Sequence, residues 1–124
     1  MAESEVRVVD TDVAEHYAWG AGCDGWHLLR RDDLSVIRER VPPGAGETRH
    51  RHARARQFFF VLAGEAVLDL EGTPHVLRAG QGLHVAPGQA HQFRNQSPTA
   101  VEFLVVSAPR SHGDREDLPP TDTA

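Results

Sequence analysis

The histidines are the residues whose chemistry and spacing stand out in this chain. Eight of them occur among 124 residues, and His50 and His52 lie two positions apart in RHRHARARQFFFVL (49–62). Because side chains two apart on a β-strand project from the same face, both imidazoles can contact one divalent metal ion. Arg49 and Arg51 then face the other way, so the run does not form one basic surface. The pattern indicates a metal site, with ordinary surface histidines as the alternative.

The charge and composition exclude several kinds of partner. The net charge is −5 with neutral histidines, whereas nucleic-acid-binding domains usually carry a basic excess. No apolar run approaches the ~20 residues that cross a bilayer, and the acidic first residues lack a signal-peptide core. Cys23 is the single cysteine, so no disulfide can form within the chain. We therefore expect a soluble, cytoplasmic protein without a nucleic-acid or membrane partner.

The elements that must position the histidines are short strands separated by Gly and Pro turns. A chain of 124 residues holds one core and not two. Strand-like runs occur twice within 26–41, around an Asp32-Asp33 turn, and then at 57–62, 65–70, 75–78, 83–86, 91–95 and 101–109. Many short runs of this kind are typical of an all-β sandwich or barrel. Helix is expected only in DVAEHYAW (12–19).

Two motifs in this chain resemble those of the cupin family. The first runs Gly44, five residues, His50-Arg51-His52, four residues, Gln57, six residues, Gly64, with Gln57 where the family has Glu. The second runs Gly80, five residues, Ala86-Pro87-Gly88, two residues, His91, three residues, Asn95, with Ala86 where the family has Pro. The motifs occur in the family's order, and the resemblance covers residues 34–107.

This resemblance implies an all-β, single-domain cupin jelly-roll β-barrel. It places metal ligands at His50, His52, Gln57 and His91. We expect residues 1–33 to form an N-terminal extension with strands that pack on the barrel, 34–109 to form the barrel, and 110–124 to form a polar C-terminal tail. The last ten residues or so of that tail are expected to be a loose surface segment.

Gln57 is the departure from the family pattern that bears on the metal. An amide oxygen is neutral and a weaker ligand than a carboxylate, so with three neutral imidazoles the metal keeps its full charge. We expect one divalent transition metal per chain, with Fe²⁺ favoured and Ni²⁺, Cu²⁺, Zn²⁺ or Mn²⁺ as alternatives. Gln57 could instead donate a hydrogen bond to a bound water or substrate, and a barrel that has lost its metal is the alternative to the whole site.

The phenylalanine triplet after Gln57 predicts a strand that is packed on both sides. Alternation places Gln57, Phe59 and Val61 on the metal-facing side, and it places Phe58, Phe60 and Leu62 on the other. We expect this second face to lie in a homodimer interface. The alternative is that residues 1–25 cover it within one chain, for instance with VRVV (6–9) as an extra strand.

Cys23 and the segment SHGDR (111–115) are further candidates. Cys23 could be a ligand or a nucleophile, although a lone cysteine is more often part of the core. His112, Asp114 and Arg115 follow the last strand, where the tail could fold back. His84 could face the cavity or the surface.

The resemblance implies an enzyme or a binding protein for a small organic molecule. Three histidines leave open coordination positions, as catalytic metal sites require, which favours a mononuclear metalloenzyme. The two motifs offer no second carboxylate for acid–base work, which argues against sugar isomerisation. Dioxygenase-type oxygen chemistry is favoured by the resemblance. The alternatives are a non-catalytic small-molecule binder or sensor and a cupin isomerase.

Overall fold

The computed structural model describes residues 6–111 and 113–120. Within these ranges the chain forms eleven strands and no helix, so no helical segment there could cross a membrane. The strands are β1 (Glu15–Trp19), β2 (Cys23–Arg30), β3 (Ser35–Val41), β4 (His50–His52), β5 (Arg56–Ala63), β6 (Glu65–Leu70), β7 (Thr73–Arg78), β8 (Gly82–Val85), β9 (His91–Arg94), β10 (Val101–Ala108) and β11 (Arg115–Asp117).

The strands form two antiparallel sheets. One has the order β1-β2-β3-β10-β5-β8 and the other the order β11-β4-β9-β6-β7. Strands distant in sequence are therefore neighbours, such as β10 between β3 and β5, which is typical of a jelly roll. The prediction of an all-β jelly roll is confirmed, although the two sheets form a sandwich and do not close into a barrel. The division into extension, barrel and tail stays a prediction.

Three phenylalanines fill the centre of the space between the sheets. The ring centroids of Phe93 and Phe103 lie 3.9 Å apart, and those of Phe59 and Phe93 lie 5.8 Å apart. All three side chains are buried, and burial of a side chain of this size stabilises a fold by about 1.5–3 kcal/mol. Phe59 also lies 5.8 Å from the ring of His91, so the aromatic core reaches the histidines.

The alternation predicted for β5 is present. Gln57, Phe59 and Val61 are buried, whereas Phe58 is 43% exposed. The turn after β5 requires glycine: Gly64 has a φ of +85°, and a Cβ there would lie 2.6 Å from the carbonyl oxygen of Ala100. The last glycine of the first motif is thus explained by backbone geometry.

The N-terminal segment differs from prediction at two places. The helix expected over 12–19 is wrong. Asp10 instead caps a turn, in which its carboxylate accepts hydrogen bonds from the amides of Asp12 and Val13, and strand β1 follows. The alternative to a dimer interface, an extra strand at 6–9, does not form, because these residues lie in no strand and Val6 is 99% exposed. The first described residues therefore do not cover Phe58 on the outer face of β5, which is 43% exposed.

The C-terminal segment is more ordered than expected. Strand β11 pairs with β4, with Arg115 opposite His52, and the amide of Leu118 donates to the carbonyl of Arg49 at 2.8 Å. The expectation of a loose surface segment is therefore wrong for 115–118. His112 lies outside the described residues.

Candidate metal centre

Three of the predicted ligands come together between strands β4 and β9. His50 and His52 lie on β4, and His91 lies on β9 in register with His50. The three side chains are buried, with 2%, 6% and 1% of their surface exposed. One ring nitrogen from each histidine lies within 4.8 Å of the other two, so this group could hold a metal ion.

Hydrogen bonds on the far side of each ring decide which nitrogen is free. Nδ1 of His50 donates to the carbonyl of Thr48 at 2.7 Å, and Nδ1 of His91 donates to the carbonyl of Gln89 at 3.0 Å. Nδ1 of His52 lies 2.9 Å from Oδ1 of Asp114. A backbone carbonyl oxygen can only accept a hydrogen bond, and the same holds for an ionised carboxylate. Each Nδ1 therefore carries the proton, and each Nε2 keeps its lone pair.

The free nitrogens fit a divalent transition metal. Nε2 of His91 is buried without a hydrogen-bond partner among the described residues, a costly arrangement unless something binds there. Burial lowers the pKa of His50 to about 3 and that of His91 to about 4, with a smaller contribution from neighbouring imidazoles. Burial also lowers the pKa of His52. The rings are therefore neutral near pH 7, the state in which imidazole binds metal.

Gln57 faces the same place from the opposite sheet. Its Nε2 donates to Oγ of Ser107 at 3.0 Å, and its Oε1 is buried without a partner among the described residues. Ser107 thus sets the orientation of the amide so that the oxygen, the atom able to bind a metal, is unpaired. The sequence analysis missed Ser107, although its position opposite Gln57 follows from the pairing of β5 with β10.

A cavity of about 310 Å³ opens beside these residues. His50, His52 and Gln57 line it, and the other lining residues are Tyr17, Trp19, Ile37, Glu39, Glu47, Phe59, Val105, Ser107, Ser111, Gly113 and Arg115. A cavity of this size accommodates a small metabolite. A larger cavity, of about 650 Å³, lies along the β2–β3 hairpin, and none of its lining residues lines the smaller cavity.

Two carboxyl groups line the smaller cavity. Glu39 projects inward from β3 and is 7% exposed. Glu47 precedes β4, and its Oε1 accepts a hydrogen bond from the amide of Phe93 at 3.1 Å. Burial raises the pKa of Glu47 to about 7, and burial together with the charge of Glu47 raises that of Glu39 well above its usual range.

The expectation that the two motifs supply no carboxylate for acid–base work was therefore wrong. Glu47 lies inside the first motif, between Gly44 and His50. Glu39 occupies an inward position in the alternation of SVIRERV (35–41). That alternation is the signal from which Glu39 could have been found, since a carboxylate on the buried face of a strand is rarely structural.

The remaining candidates divide between the site and the rest of the fold. Cys23 is 1% exposed, and burial raises the pKa of its thiol, so it belongs to the core and is not a reactive group. His84 lies on the surface, 2.7 Å from the guanidinium of Arg56. Asp114 and Arg115 reach the site, as the sequence allowed.

The chain belongs to the cupin family, because the model of the cupin domain matches residues 37–107. Both the histidine pair and His91 lie inside that range, whereas Asp114 and Arg115 lie beyond it.

Several known proteins are similar to this chain, and where their names indicate functions, these functions differ. The protein SchB of Streptomyces halstedii is 35% identical over 83 residues, which cover 67% of this chain and 59% of SchB. An oxalate-binding protein of Thermotoga maritima is 30% identical, over 64% of this chain and 70% of that protein. A solved structure of a sugar phosphate isomerase from Silicibacter pomeroyi has a TM-score of 0.74 at 25% identity, over 84% of this chain and 76% of that one. The chain thus spans less than two thirds of SchB.

Proposed function

We propose that this chain is a mononuclear metalloenzyme that transfers a proton on a small, oxygen-containing organic molecule. Its metal ligands are His50, His52, Gln57 and His91. The observation that carries this proposal is that two desolvated carboxyl groups, on Glu39 and Glu47, line the same cavity as His50, His52 and Gln57. A metal site next to acid and base groups is the arrangement that isomerisation, cyclisation and lyase chemistry require.

The ligand set determines what the metal contributes. A divalent ion held there would polarise a carbonyl or hydroxyl oxygen of the substrate as a Lewis acid. Imidazoles and an amide bring no negative charge, which disfavours Mn²⁺ relative to Fe²⁺, Ni²⁺, Cu²⁺ or Zn²⁺; we propose Fe²⁺ as the resident metal.

The two glutamates have complementary roles in this scheme. A carboxyl with a pKa of about 7 is matched to proton transfer near neutral pH. The charge of Glu47 raises the pKa of Glu39 further, against a smaller opposing effect of Arg115, so ionisation of Glu47 favours a protonated Glu39. We therefore assign Glu47 as the base and Glu39 as the acid. Trp19, Phe59 and Val105 exclude water from one wall of the cavity.

The comparisons support this scheme without deciding the substrate. The solved structure named as a sugar phosphate isomerase shares the fold at 25% identity, and isomerisation of a sugar moves a proton between neighbouring carbons. We propose a hydroxy- or keto-containing metabolite as the substrate class, since such oxygens bind a Lewis-acidic metal.

Dioxygenase-type oxygen chemistry is the second candidate. It is favoured by the neutral ligand set, which suits Fe²⁺, and by the apolar side chains of Phe59 and Val105 at the cavity. It differs from the first proposal in requiring O₂ and in having no need of Glu47.

Proton exchange in D₂O separates these functions. Protein loaded with Fe²⁺ or Zn²⁺ is incubated with a panel of small hydroxy and keto acids and sugar phosphates, and C–H to C–D exchange is followed by NMR without O₂. We expect exchange that depends on the metal and falls ~10²–10⁴-fold in Glu47→Gln, the usual contribution of a general base. Turnover only with O₂, undiminished in Glu47→Gln, would establish the second candidate. Binding without exchange or O₂ consumption would indicate a non-catalytic binding protein.

We also propose that the protein is a homodimer whose interface is the outer face of the six-stranded sheet. Register pairs Val106 with Val36 on one side and with Phe58 on the other, and it pairs Leu104 with Phe60. Phe58 is 43% exposed at this position, and the described N-terminal residues do not cover it. A contiguous apolar patch on a sheet commonly marks an interface, and twofold dimers are the commonest assemblies. The cytoplasmic location expected from the sequence stays a prediction.

A further inference from the structure

Asp114 lies outside the part of the chain that the cupin domain model matches, which ends at residue 107. Its side chain is nevertheless 3% exposed and contacts that of His52, which is 6% exposed. Strand β11, which follows directly, pairs with β4 and so returns the C-terminal segment to the strand that carries His50 and His52. A residue from outside the family core thus completes the environment of one predicted ligand.

Both oxygens of the Asp114 carboxylate accept hydrogen bonds. Oδ1 accepts from Nδ1 of His52 at 2.9 Å, and Oδ2 accepts from the backbone amides of Arg54 and Ala55, each at 2.9 Å. Burial alone would raise the pKa of Asp114, but these hydrogen bonds lower it on balance. The ionised carboxylate is therefore fixed between the backbone after β4 and the imidazole ring.

The other two histidines are oriented differently. His50 and His91 donate to the carbonyls of Thr48 and Gln89, each two residues earlier in the chain. Those acceptors belong to the local backbone, so they cannot be withdrawn without disrupting β4 or β9. The ring of His52 depends instead on a side chain 62 positions away.

We infer that Asp114 is a positioning residue for the metal, which holds the Nδ1–H tautomer of His52 so that Nε2 faces the ion, and that docking of β11 is coupled to metal loading. This inference rests on the metal site proposed above. Coupling is reciprocal, since whatever factor the docked segment adds to metal affinity, the metal adds to docking. Loss of a carboxylate that orients a histidine ligand typically weakens metal binding about 10–100-fold.

Asp114→Asn is the informative substitution because it keeps the shape and changes the chemistry. The amides of Arg54 and Ala55 both need an oxygen acceptor, so the asparagine oxygen faces them and its NH₂ group faces His52. Nδ1 of His52 must then accept, which moves the ring proton to Nε2 and removes the lone pair that would bind the metal.

The test combines a Zn²⁺ titration with NMR of the imidazole nitrogens. Zn²⁺ affinity should fall ~10–100-fold in Asp114→Asn, and ¹⁵N shifts of the metal-free proteins should show His52 protonated on Nδ1 in the wild type and on Nε2 in the variant. Zn²⁺ should also slow amide exchange at Leu118, which donates to Arg49 beside β4. Glu116→Gln is the matched control on the same strand. The ion pair of Glu116 with Arg51 is exposed and contributes little, so Zn²⁺ affinity should change far less than in Asp114→Asn and the His52 tautomer should stay the same.

The outcomes separate this inference from the proposed function. Equal Zn²⁺ affinity of wild type and Asp114→Asn, or an unchanged His52 tautomer, would overturn the inference and leave the metal site standing. A wild type that binds no Zn²⁺ would overturn both. If Asp114→Asn unfolds the protein, the wild type carries the test: a metal-free His52 protonated on Nε2, or amide exchange at Leu118 that Zn²⁺ does not slow although Zn²⁺ binds, would contradict the inference.

Discussion

The two ends of the space between the sheets are formed by the same strands, but one end is lined by aromatic residues and the other by polar residues. On β9 the inward side chains are Phe93 and then, two residues earlier, His91; on β5 they are Phe59 and Gln57. The aromatic end is tightly stacked, with 3.9 Å between the rings of Phe93 and Phe103. The histidine end contains two buried atoms that have no hydrogen-bond partner within the described part of the chain, Nε2 of His91 and Oε1 of Gln57. The stacked rings contribute stability, whereas the unpaired polar atoms at the other end cost stability, an arrangement that fits the proposed metal site.

Phe93→Ala tests the aromatic end and has the largest expected effect. Removal of a fully buried phenylalanine costs about 3–5 kcal/mol, so the urea midpoint of the metal-free protein should fall steeply. Phe58→Ala, at an exposed position on β5 in the facing sheet, is the matched control and should cost far less in monomeric protein. Equal losses for the two variants would show that the stacked rings do not dominate the core.

His91→Ala, two residues away on the same strand, should behave in the opposite way. It removes a ring nitrogen that lacks a partner among the described residues, so the metal-free protein should lose less than half the stability lost in Phe93→Ala. Metal affinity, in contrast, should fall more than 100-fold, since one of three imidazole ligands is gone. Calorimetric titration with Zn²⁺ measures this, with the exposed His84→Ala as control. Retained affinity would place the ion elsewhere.

Gln57→Glu sharpens the contrast at the second inward position. The carboxylate adds a charged oxygen ligand to the unpaired side of the residue, so Mn²⁺ and Fe²⁺ should bind about tenfold more tightly. Without metal the same variant should be less stable, because it buries a charge beside neutral imidazoles. Unchanged affinity for both ions would mean that Gln57 does not contact the metal.

Phe58→Asp concerns the outer face of the same strand and should affect assembly more than the site. Light scattering at low micromolar concentration should give twice the 13.7 kDa chain mass for the wild type and the single mass for the variant. Metal affinity should change little, because Phe58 points away from Gln57. A monomeric wild type would refute the interface.

The resemblance to the cupin motifs implied the jelly roll and the meeting of His91 with His50 and His52, whereas local periodicity predicted the alternation on β5 and the shared face of His50 and His52. The sequence did not predict Glu39 or Ser107 as part of the site, since neither belongs to the two motifs and their proximity to the histidines depends on which strands become neighbours. The helix expected at 12–19 failed for a similar reason: pairing of β1 with β2 outweighs local propensity. Asp114 could be named as a candidate, but its partner was decided by the return of β11 to β4.

The metal content of the purified protein tests the central claim most directly. The protein is purified without chelator and without a nickel affinity column, and its metals are quantified by elemental analysis before and after reconstitution with Fe²⁺, Ni²⁺, Cu²⁺ and Zn²⁺. We predict close to one transition metal per chain in the wild type and almost none in His91→Ala. A folded wild type that holds no metal after reconstitution would contradict the account.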